Sequence, residues 1–227
     1  AAALSPGLGF LFPYGPGSSK HNWDKNLDFV VTRAPFRISF AGGGTDLPSF
    51  YEQDYGTVVS TTIDKYVYVM VNRCRPMLGR GVDDQGRYRI RLSYSSTENV
   101  QRVDELKHPI VREALRLLAL DAPLDIATMA DVPAGNGLGS SGSFSVALLH
   151  ALHLIKGEEV NCEQLAAEAA HIEIDILGRP VGKQDHYAAA YGGLNVIQFL
   201  ADGNVSVRPV KSSDQLAQRL FPHLMLL

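Results

Sequence analysis

Pro133-Ala134-Gly135-Asn136-Gly137-Leu138-Gly139-Ser140-Ser141-Gly142-Ser143 is the stretch that decides what this chain is. It follows a predicted short strand, Leu124 to Met129, in a glycine- and serine-rich loop from Asp131 to Gly142, and leads into a predicted apolar helix from Ser143 to Lys156 ending at Gly157. Glycines let the backbone approach a ligand and aim successive N–H groups inward, and the first turn of a helix carries unsatisfied N–H groups at its positive dipole end. A polyphosphate needs both. The hydroxyls of Ser140 and Ser141 add hydrogen bonds to phosphate or a ligand for magnesium. A purely structural loop ahead of a well-capped helix accounts for the same letters.

Three rival motifs fail on spacing. No string has the Walker order of glycine, four residues, then Gly-Lys-Ser/Thr; Gly182-Lys183 is followed by Gln184. Gly137, Gly139 and Gly142 match a dinucleotide fingerprint formally, but Pro133 interrupts the approach from the strand, and the helix leads to a second helix instead of a parallel strand. No register gives Gly-x-Ser-x-Gly, so a serine-hydrolase elbow is out.

Phosphate transfer further requires a metal ligand and a group for the nucleophile's proton. Asn161 predicts an N-cap, with Gln164 completing a capping box and a helix running to about Ile176 before Gly178. On that helix Glu173 has Ala166, Ala169, Ala170, Ile176 and Leu177 as neighbours, so its carboxylate should be paired or metal-bound. Pairing with an arginine satisfies it equally. Asp185 sits in Gly182-Lys183-Gln184-Asp185-His186, where capping a short helix from Tyr187 to Tyr191 is the simpler role.

The other glycine cluster, Gly42-Gly43-Gly44-Thr45-Asp46, follows a predicted strand from Phe29 to Phe40 that carries Arg37. Three glycines before Thr-Asp make a tight loop with polar groups suited to sugar hydroxyls; a solvated Arg37 and a turn-forming Asp46 are the plainer alternatives. Further strands are predicted at Thr57 to Ile63, Lys65 to Arg73 and Arg87 to Tyr94, a helix at Pro109 to Leu120, and a hairpin of Leu194 to Leu200 with Val205 to Val210 around Asp202-Gly203. His150 and His153 lie three apart without a third ligand and read as helix-surface or core residues. Strands first, then helices interleaved with strands, predict an α+β fold.

Composition narrows the class further. The 227 residues hold 21 glycines and carry a net charge of -3, which supplies no field for a nucleic-acid backbone or an anionic membrane. Cys74 and Cys162 are the only cysteines, so neither a disulfide scaffold nor structural zinc is expected, and a cytoplasmic home follows. No segment approaches the ~20 apolar residues of a membrane span. Residues 1–28, rich in proline, glycine and serine, read as an extension or disordered arm and fit a signal peptide badly.

Together, Ala34-Pro35-Phe36-Arg37-Ile38-Ser39-Phe40-Ala41-Gly42-Gly43-Gly44-Thr45-Asp46, Pro133 to Ser143 and Gly182-Lys183-Gln184-Asp185-His186 resemble the motifs of the GHMP kinase superfamily (galactokinase, homoserine kinase, mevalonate kinase, phosphomevalonate kinase). The Gly-Gly-Gly-Thr-Asp form is most similar to the sugar branch, in particular bacterial D-glycero-D-manno-heptose 7-phosphate kinases; galactokinases usually have Gly-Glu-His-Thr-Asp there. The resemblance implies a ribosomal-protein-S5-like α+β domain that transfers the γ-phosphoryl group of ATP to a hydroxyl of a sugar or sugar phosphate. It implies that Pro133, Gly135, Asn136, Gly137, Leu138, Gly139, Ser140, Ser141, Gly142 and Ser143 hold ATP and that Ser141 and Glu173 hold Mg2+. Asp185 would act as catalytic base with Arg37 as its charged partner. Gly43, Gly44, Thr45, Asp46, Gly182, Lys183 and His186 would bind the sugar.

The match extends over roughly residues 31 to 200. Members usually exceed ~300 residues, close to two domain lengths, with a third glycine-rich motif in a C-terminal domain. Residues 29–210 therefore read as the N-terminal ATP- and sugar-binding domain, and 211–227, with the strand-like apolar run from Phe221, as the start of a C-terminal domain largely absent here. A homodimer or second chain completing the fold, and an inactive ligand-binding or scaffold protein of the same fold, are the accompanying expectations.

Overall fold

Strand β2 (Phe29–Ala41) pairs antiparallel with β3 (Tyr55–Arg73), and every other strand is ordered around this pair. The computed structural model describes residues 9–10, 27–73, 90–133, 135–210, 218–219 and 221–223. Among these, β1 (Gly9–Phe10), β4 (Ile90–Ser93), β5 (Thr97–Val100), β6 (Leu124–Ala130), β7 (Leu194–Leu200) and β8 (Val205–Pro209) complete an eight-stranded sheet. Short helices α1 (Pro48–Tyr51), α2 (Pro109–Leu117), α4 (Cys162–Ala170) and α5 (Gln184–Tyr191) accompany the long α3 (Ser140–Lys156).

The two runs expected on either side of Asp64 are one continuous strand with different neighbours along its two halves. Residues 55–61 of β3 pair with β7, whereas 67–73 pair with β6. Between them the register against β2 shifts, from Pro35 opposite Tyr66 to Arg37 opposite Thr62. Pro35 has no N–H to give the ladder, so an irregularity there is the expected response. Beyond β6 lies β4, paired in parallel, and then β5; β8 flanks β7 in the predicted hairpin.

Alternation along β2 and β3 sends Val30, Ala34, Phe36, Val58, Val67, Val69 and Val71 to one face, where α3 covers them. Helix α3 is buried nearly all round, from Val146 to Leu152 and Ile155, because α2, α4 and α5 pack on its other sides. Thr32 stays polar within this core by donating to the Ala147 carbonyl at 2.7 Å. The α+β architecture expected from the sequence is therefore present.

Several boundaries differ. Gly9 and Phe10 pair with Arg33 and Thr32, within a segment expected to hold no strand. Strand β5 was not foreseen. Helix α3 begins at Ser140 instead of Ser143, since Gly139 in the left-handed region (φ 79°) turns the chain directly into it. Asn161 caps α4 through the Gln164 N–H at 2.8 Å, but Gln164 bonds Glu168 and does not return the box. A turn of 3-10 helix occupies 221–223 where the sequence suggested a strand; residues 211–217, 220 and 224–227 of the proposed C-terminal segment, residues 87–89 and Cys74 lie outside the described residues.

His150 and His153 are both core residues, and His153 joins α3 to α4 by bonding Glu158 at 2.8 Å and Glu168 at 2.7 Å. Burial alone would lower its pKa, but the Glu168 and Glu158 carboxylates more than reverse this and raise it. A folded-state pKa above the unfolded value gives stability that is complete below about pH 6.5 and disappears as pH rises through the folded value. His153→Gln should therefore lower stability by about 1–2 kcal/mol at pH 6, and by less at pH 9, in urea denaturation at the two pH values.

Candidate functional site

The glycine-serine loop joins β6 to α3 with Gly135, Gly137 and Gly139 all at positive φ (85°, 75° and 79°), a backbone path that L side chains rarely take. Asn136 braces it internally, donating to the Pro133 carbonyl and accepting from the Leu138 N–H. Strand β2 holds it from outside: the Arg37 N–H donates to the Leu138 carbonyl at 3.0 Å, and Arg37 Nη1 donates to the Gly137 carbonyl at 2.6 Å. The N-terminal N–H groups of α3 receive no side-chain cap. This leaves them to an anion.

The first turn of α3 has two faces. Ser140 and Ser141 line a cavity of about 610 Å³, while Gly139 and Gly142 face Asp185. A Cβ on Gly142 would lie 2.7 Å from Asp185 Cβ, and one on Gly139 would lie 3.2 Å from both Arg37 Cγ and Asp185 Cγ. Glycine at these positions is what admits the aspartate. Ser143 departs from its expected role: its hydroxyl is fully buried and donates to the Pro35 carbonyl at 2.8 Å, so it pins α3 to β2 and offers nothing to a phosphate.

Asp185 lies inside the first turn of α5 and is not its cap; Lys183 holds that position. Arg37 reaches Asp185 Oδ1 through Nε at 2.7 Å and Nη2 at 2.5 Å. Among the described residues Oδ2 has no hydrogen-bond partner, and Asp185 lines a second cavity of about 230 Å³ together with Arg37, Gly44, Asp46 and Gly182. A carboxylate held at one oxygen and open at the other is arranged to accept a proton from a bound hydroxyl.

Asp46 lines that cavity, but its carboxylate is already engaged. Oδ1 accepts from the Gly44 N–H and Gln184 Nε2, and Oδ2 from the Gln184 N–H. A Cβ at Gly182 would collide with it at 1.9 Å. Asp46 therefore binds the glycine loop to the turn that carries Asp185. Thr45 is turned inward as well, donating to the Gly42 and Thr57 carbonyls and accepting from the Thr57 N–H. Lys183 points away, to the Gly203 carbonyl at 2.9 Å and over the Tyr51 ring. Of the residues expected to contact a sugar, Gly44, Asp46 and Gly182 reach the cavity, and Thr45, Lys183 and Gly43 do not line it.

Glu173 lies in a π-helical continuation of α4, His171–Ile176, where the Leu177 N–H bonds the Ile172 carbonyl five residues back. Such segments recur at functional sites because they re-aim side chains. Its carboxylate is wholly buried: Oε1 accepts from Ser145 Oγ at 2.7 Å and lies 3.2 Å from His186 Nε2, and Oε2 accepts from Arg179 Nη1 at 2.8 Å. Burial would raise its pKa, but His186 and the Ser145 and Ser141 hydroxyls bring it down to about 2. His186 is thus buried behind Glu173 and lies away from the sugar cavity. Of the two expectations for Glu173, the arginine pair is the one seen, with Arg179 as the partner. The Ser141 hydroxyl is a further donor to the carboxylate. A hydroxyl on the cavity wall with a buried carboxylate behind it suits a hard divalent cation, and since no cluster of three metal-type side chains occurs among the described residues, phosphate and water would have to complete its shell.

The larger cavity was not anticipated, because its walls come from separate segments: Tyr94, His108 and Ile110, then Met129, then Phe144, with Arg179 beside the serines. Glu98 fixes its mouth, accepting from Tyr94 Oη and from the Lys107 and His108 N–H groups. The His108 ring stands edge-on to Tyr94 and tilted against Phe144. An apolar, aromatic pocket leading to a helix N-terminus fits a nucleoside with its phosphates on the loop.

Residues 109–193 match the family model described as GHMP kinases N terminal domain. The chain is 30% identical over 198 residues to D-glycero-alpha-D-manno-heptose 7-phosphate kinase of Campylobacter jejuni, covering 84% of this chain and 57% of that protein. A galactokinase of Chloroflexus aurantiacus is 28% identical over 183 residues, covering 79% of this chain and 45% of its own length. Among solved structures, a D-glycero-D-manno-heptose 1-phosphate kinase from Bacteroides thetaiotaomicron superposes with a TM-score of 0.72 at 28% identity, over 84% of this chain and 62% of that one. Mevalonate kinase of Methanococcus jannaschii, at 14% identity and a TM-score of 0.59 over 80% of this chain and 56% of that one, shares the fold. The chain spans less than two thirds of each of these proteins.

The bracing role of Asp46 has a direct consequence. Asp46→Ala should cost about 2–3 kcal/mol, since it strands three donors, and Asp46→Asn, which keeps an acceptor oxygen, should cost clearly less. Urea denaturation of the two variants checks this; an alanine variant within about 0.5 kcal/mol of wild type would return Asp46 to the status of a free cavity group.

Proposed function

This chain carries a GHMP kinase N-terminal domain, and from that premise we propose that it serves ATP-dependent phosphoryl transfer to a hydroxyl of a sugar or sugar phosphate, with D-glycero-D-manno-heptose 7-phosphate as the acceptor to test first. The observation that carries the proposal is the single ion pair from Arg37 to Asp185 set directly against the glycine face of α3. It puts a proton acceptor beside the place where a γ-phosphate on the helix N-terminus would end. The choice of acceptor rests on the heptose phosphate kinases among the relatives and on the glycine-rich loop that replaces the bulkier galactokinase pattern.

Bound ATP supplies the γ-phosphoryl group, and magnesium on Ser141 and Glu173 would offset the charge of its oxygens. The chain's own residues do the rest. The apolar cavity holds the nucleoside end and excludes water from it. The N–H groups at the start of α3 and the Ser140 hydroxyl orient the phosphates. In the smaller cavity Asp185 Oδ2 accepts the hydrogen bond of the acceptor hydroxyl, orients its oxygen toward phosphorus, and takes its proton as the new O–P bond forms and the bond from the γ-phosphorus to the bridging oxygen breaks, releasing ADP. Arg37 keeps Asp185 aimed, and through Gly137 it keeps the loop at the same distance. Solubility and cytoplasmic residence belong to this proposal; no helix among the described residues is long and apolar enough to cross a membrane.

Titration with MgATP, alone and with the heptose phosphate, tests the proposal by calorimetry and by ADP release. Absence of nucleotide binding would remove it. Asp185→Asn should slow transfer on the order of 10²- to 10⁴-fold and change ATP affinity by no more than about twofold; a retained rate would exclude Asp185 as base.

A further inference from the structure

Arg179 has a role that neither the sequence motifs nor the ion pair with Glu173 accounts for. It is the only lysine or arginine among the described residues that line the larger cavity, whose walls also include Ser140 and Ser141. Its partner Glu173 is fully buried, whereas a third of the Arg179 side chain is open. A guanidinium carries five N–H donors in a fixed fork. Here Nη1 is engaged by Glu173 Oε2, and Nε and Nη2 make no hydrogen bond among the described residues. Those nitrogens belong to a side chain that lines the cavity where the nucleotide proposal puts a polyphosphate.

Glu173 does not depend on this arginine for all its partners. Ser145 and His186 occupy Oε1 from within the core, and the Ser141 hydroxyl is a further donor. A divalent cation held by Glu173 and Ser141 would meet the Arg179 charge at hydrogen-bond distance from the same carboxylate. Two cations competing for one buried oxygen repel each other, and the arginine is the one with a long stem and a solvent-facing side. The nearest alternative anion in its cavity is the polyphosphate.

We propose that Arg179 is a phosphate-contacting residue that exchanges partners: it neutralises Glu173 in the nucleotide-free site and pairs with the nucleotide's phosphates once a divalent cation takes its carboxylate oxygen. This rests on the nucleotide-binding proposal and adds to it a residue and a change of state. Arginine suits the task because its planar fork bonds carboxylate and phosphate alike.

The test is a double-mutant cycle read on binding. Wild type, Arg179→Gln, Glu173→Gln and the double variant are titrated with ATP in EDTA, with MgATP and with adenosine, after thermal melts confirm folding. With Glu173 made neutral, Arg179 has no carboxylate left to serve. In that background Arg179→Gln should still weaken metal-free ATP binding about tenfold and leave adenosine affinity unchanged, and Arg179→Lys should recover part of the loss. Unchanged ATP affinity in that background would show that Arg179 serves only Glu173 and would overturn the inference. Equal losses for ATP and adenosine would mean a collapsed cavity and would overturn it as well. If wild type binds neither ATP nor adenosine, the nucleotide proposal itself falls, and this inference with it; binding by wild type separates the two failures.

Discussion

The contact between Asp185 and the glycine face of α3 is the constraint on which the site depends. Three segments far apart in sequence converge there: Arg37 on β2, Gly137 to Gly142 at the loop and helix start, and Asp185 on α5. Each fixes the other two. Arg37 bonds the aspartate with two nitrogens and the loop with its third, so the separation between carboxylate and helix N-terminus is set by one rigid, planar group. A Cβ at Gly142 would lie 2.7 Å from Asp185 Cβ and force a shift, whereas at Gly139 the neighbours would have to give only a few tenths of an ångström and the cost is the positive φ of 79°.

Support for this contact comes from behind. Asp46 ties the turn before α5 to the first glycine loop, Thr45 ties that loop to β3, and Ser143 ties α3 to β2 at Pro35. Several motif residues therefore work at one remove from any ligand. Their side chains are short and polar because each must reach a backbone group in a confined space, which a longer residue would overfill. The irregularity at Pro35 belongs to the same arrangement: a carbonyl freed from strict ladder geometry is the one that accepts from Ser143.

The chain's letters revealed the parts governed by local chemistry. The glycine-serine loop, the strand bearing Arg37, the hairpin at Asp202-Gly203 and the α3 and α4 helices each rest on turn residues, caps or periodicity within a short window. Glu173 was legible as a charge on an apolar face, whereas Asp185 read by itself as a helix cap and drew its catalytic role from the motif resemblance alone. What could not be read was direction. Thr45, Lys183, His186 and Ser143 stand at motif positions but point into β3, toward Gly203, behind Glu173 and into the core, respectively. The apolar cavity escaped for a related reason, since Tyr94, His108, Met129 and Phe144 become neighbours only through tertiary packing. Arg179 carried a weak signal, six residues after a carboxylate on an apolar face, which an arginine partner was one way to satisfy. The break expected at Asp64 was a change of strand partners, and that leaves the same trace in a sequence as a strand end.

The order Gly139-Ser140-Ser141-Gly142 acquires a meaning from helix geometry that its composition does not carry. Successive residues on a helix are rotated by about 100°, so positions three apart share a face and the two between them turn away. Glycines at 139 and 142 thus form one bare face for Asp185, and serines at 140 and 141 form the other, toward the larger cavity. Strand β2 repeats the division, with Phe36 lining the larger cavity and Arg37 the smaller. The two cavities consequently lie on opposite sides of one wall made of β2 and the loop, and they approach each other at the first turn of α3. On the proposed reading, a group passed from one to the other would cross at that turn, where the helix N–H groups stand on one side and the Asp185 carboxylate on the other, and the wall would keep the remainder of each bound molecule apart.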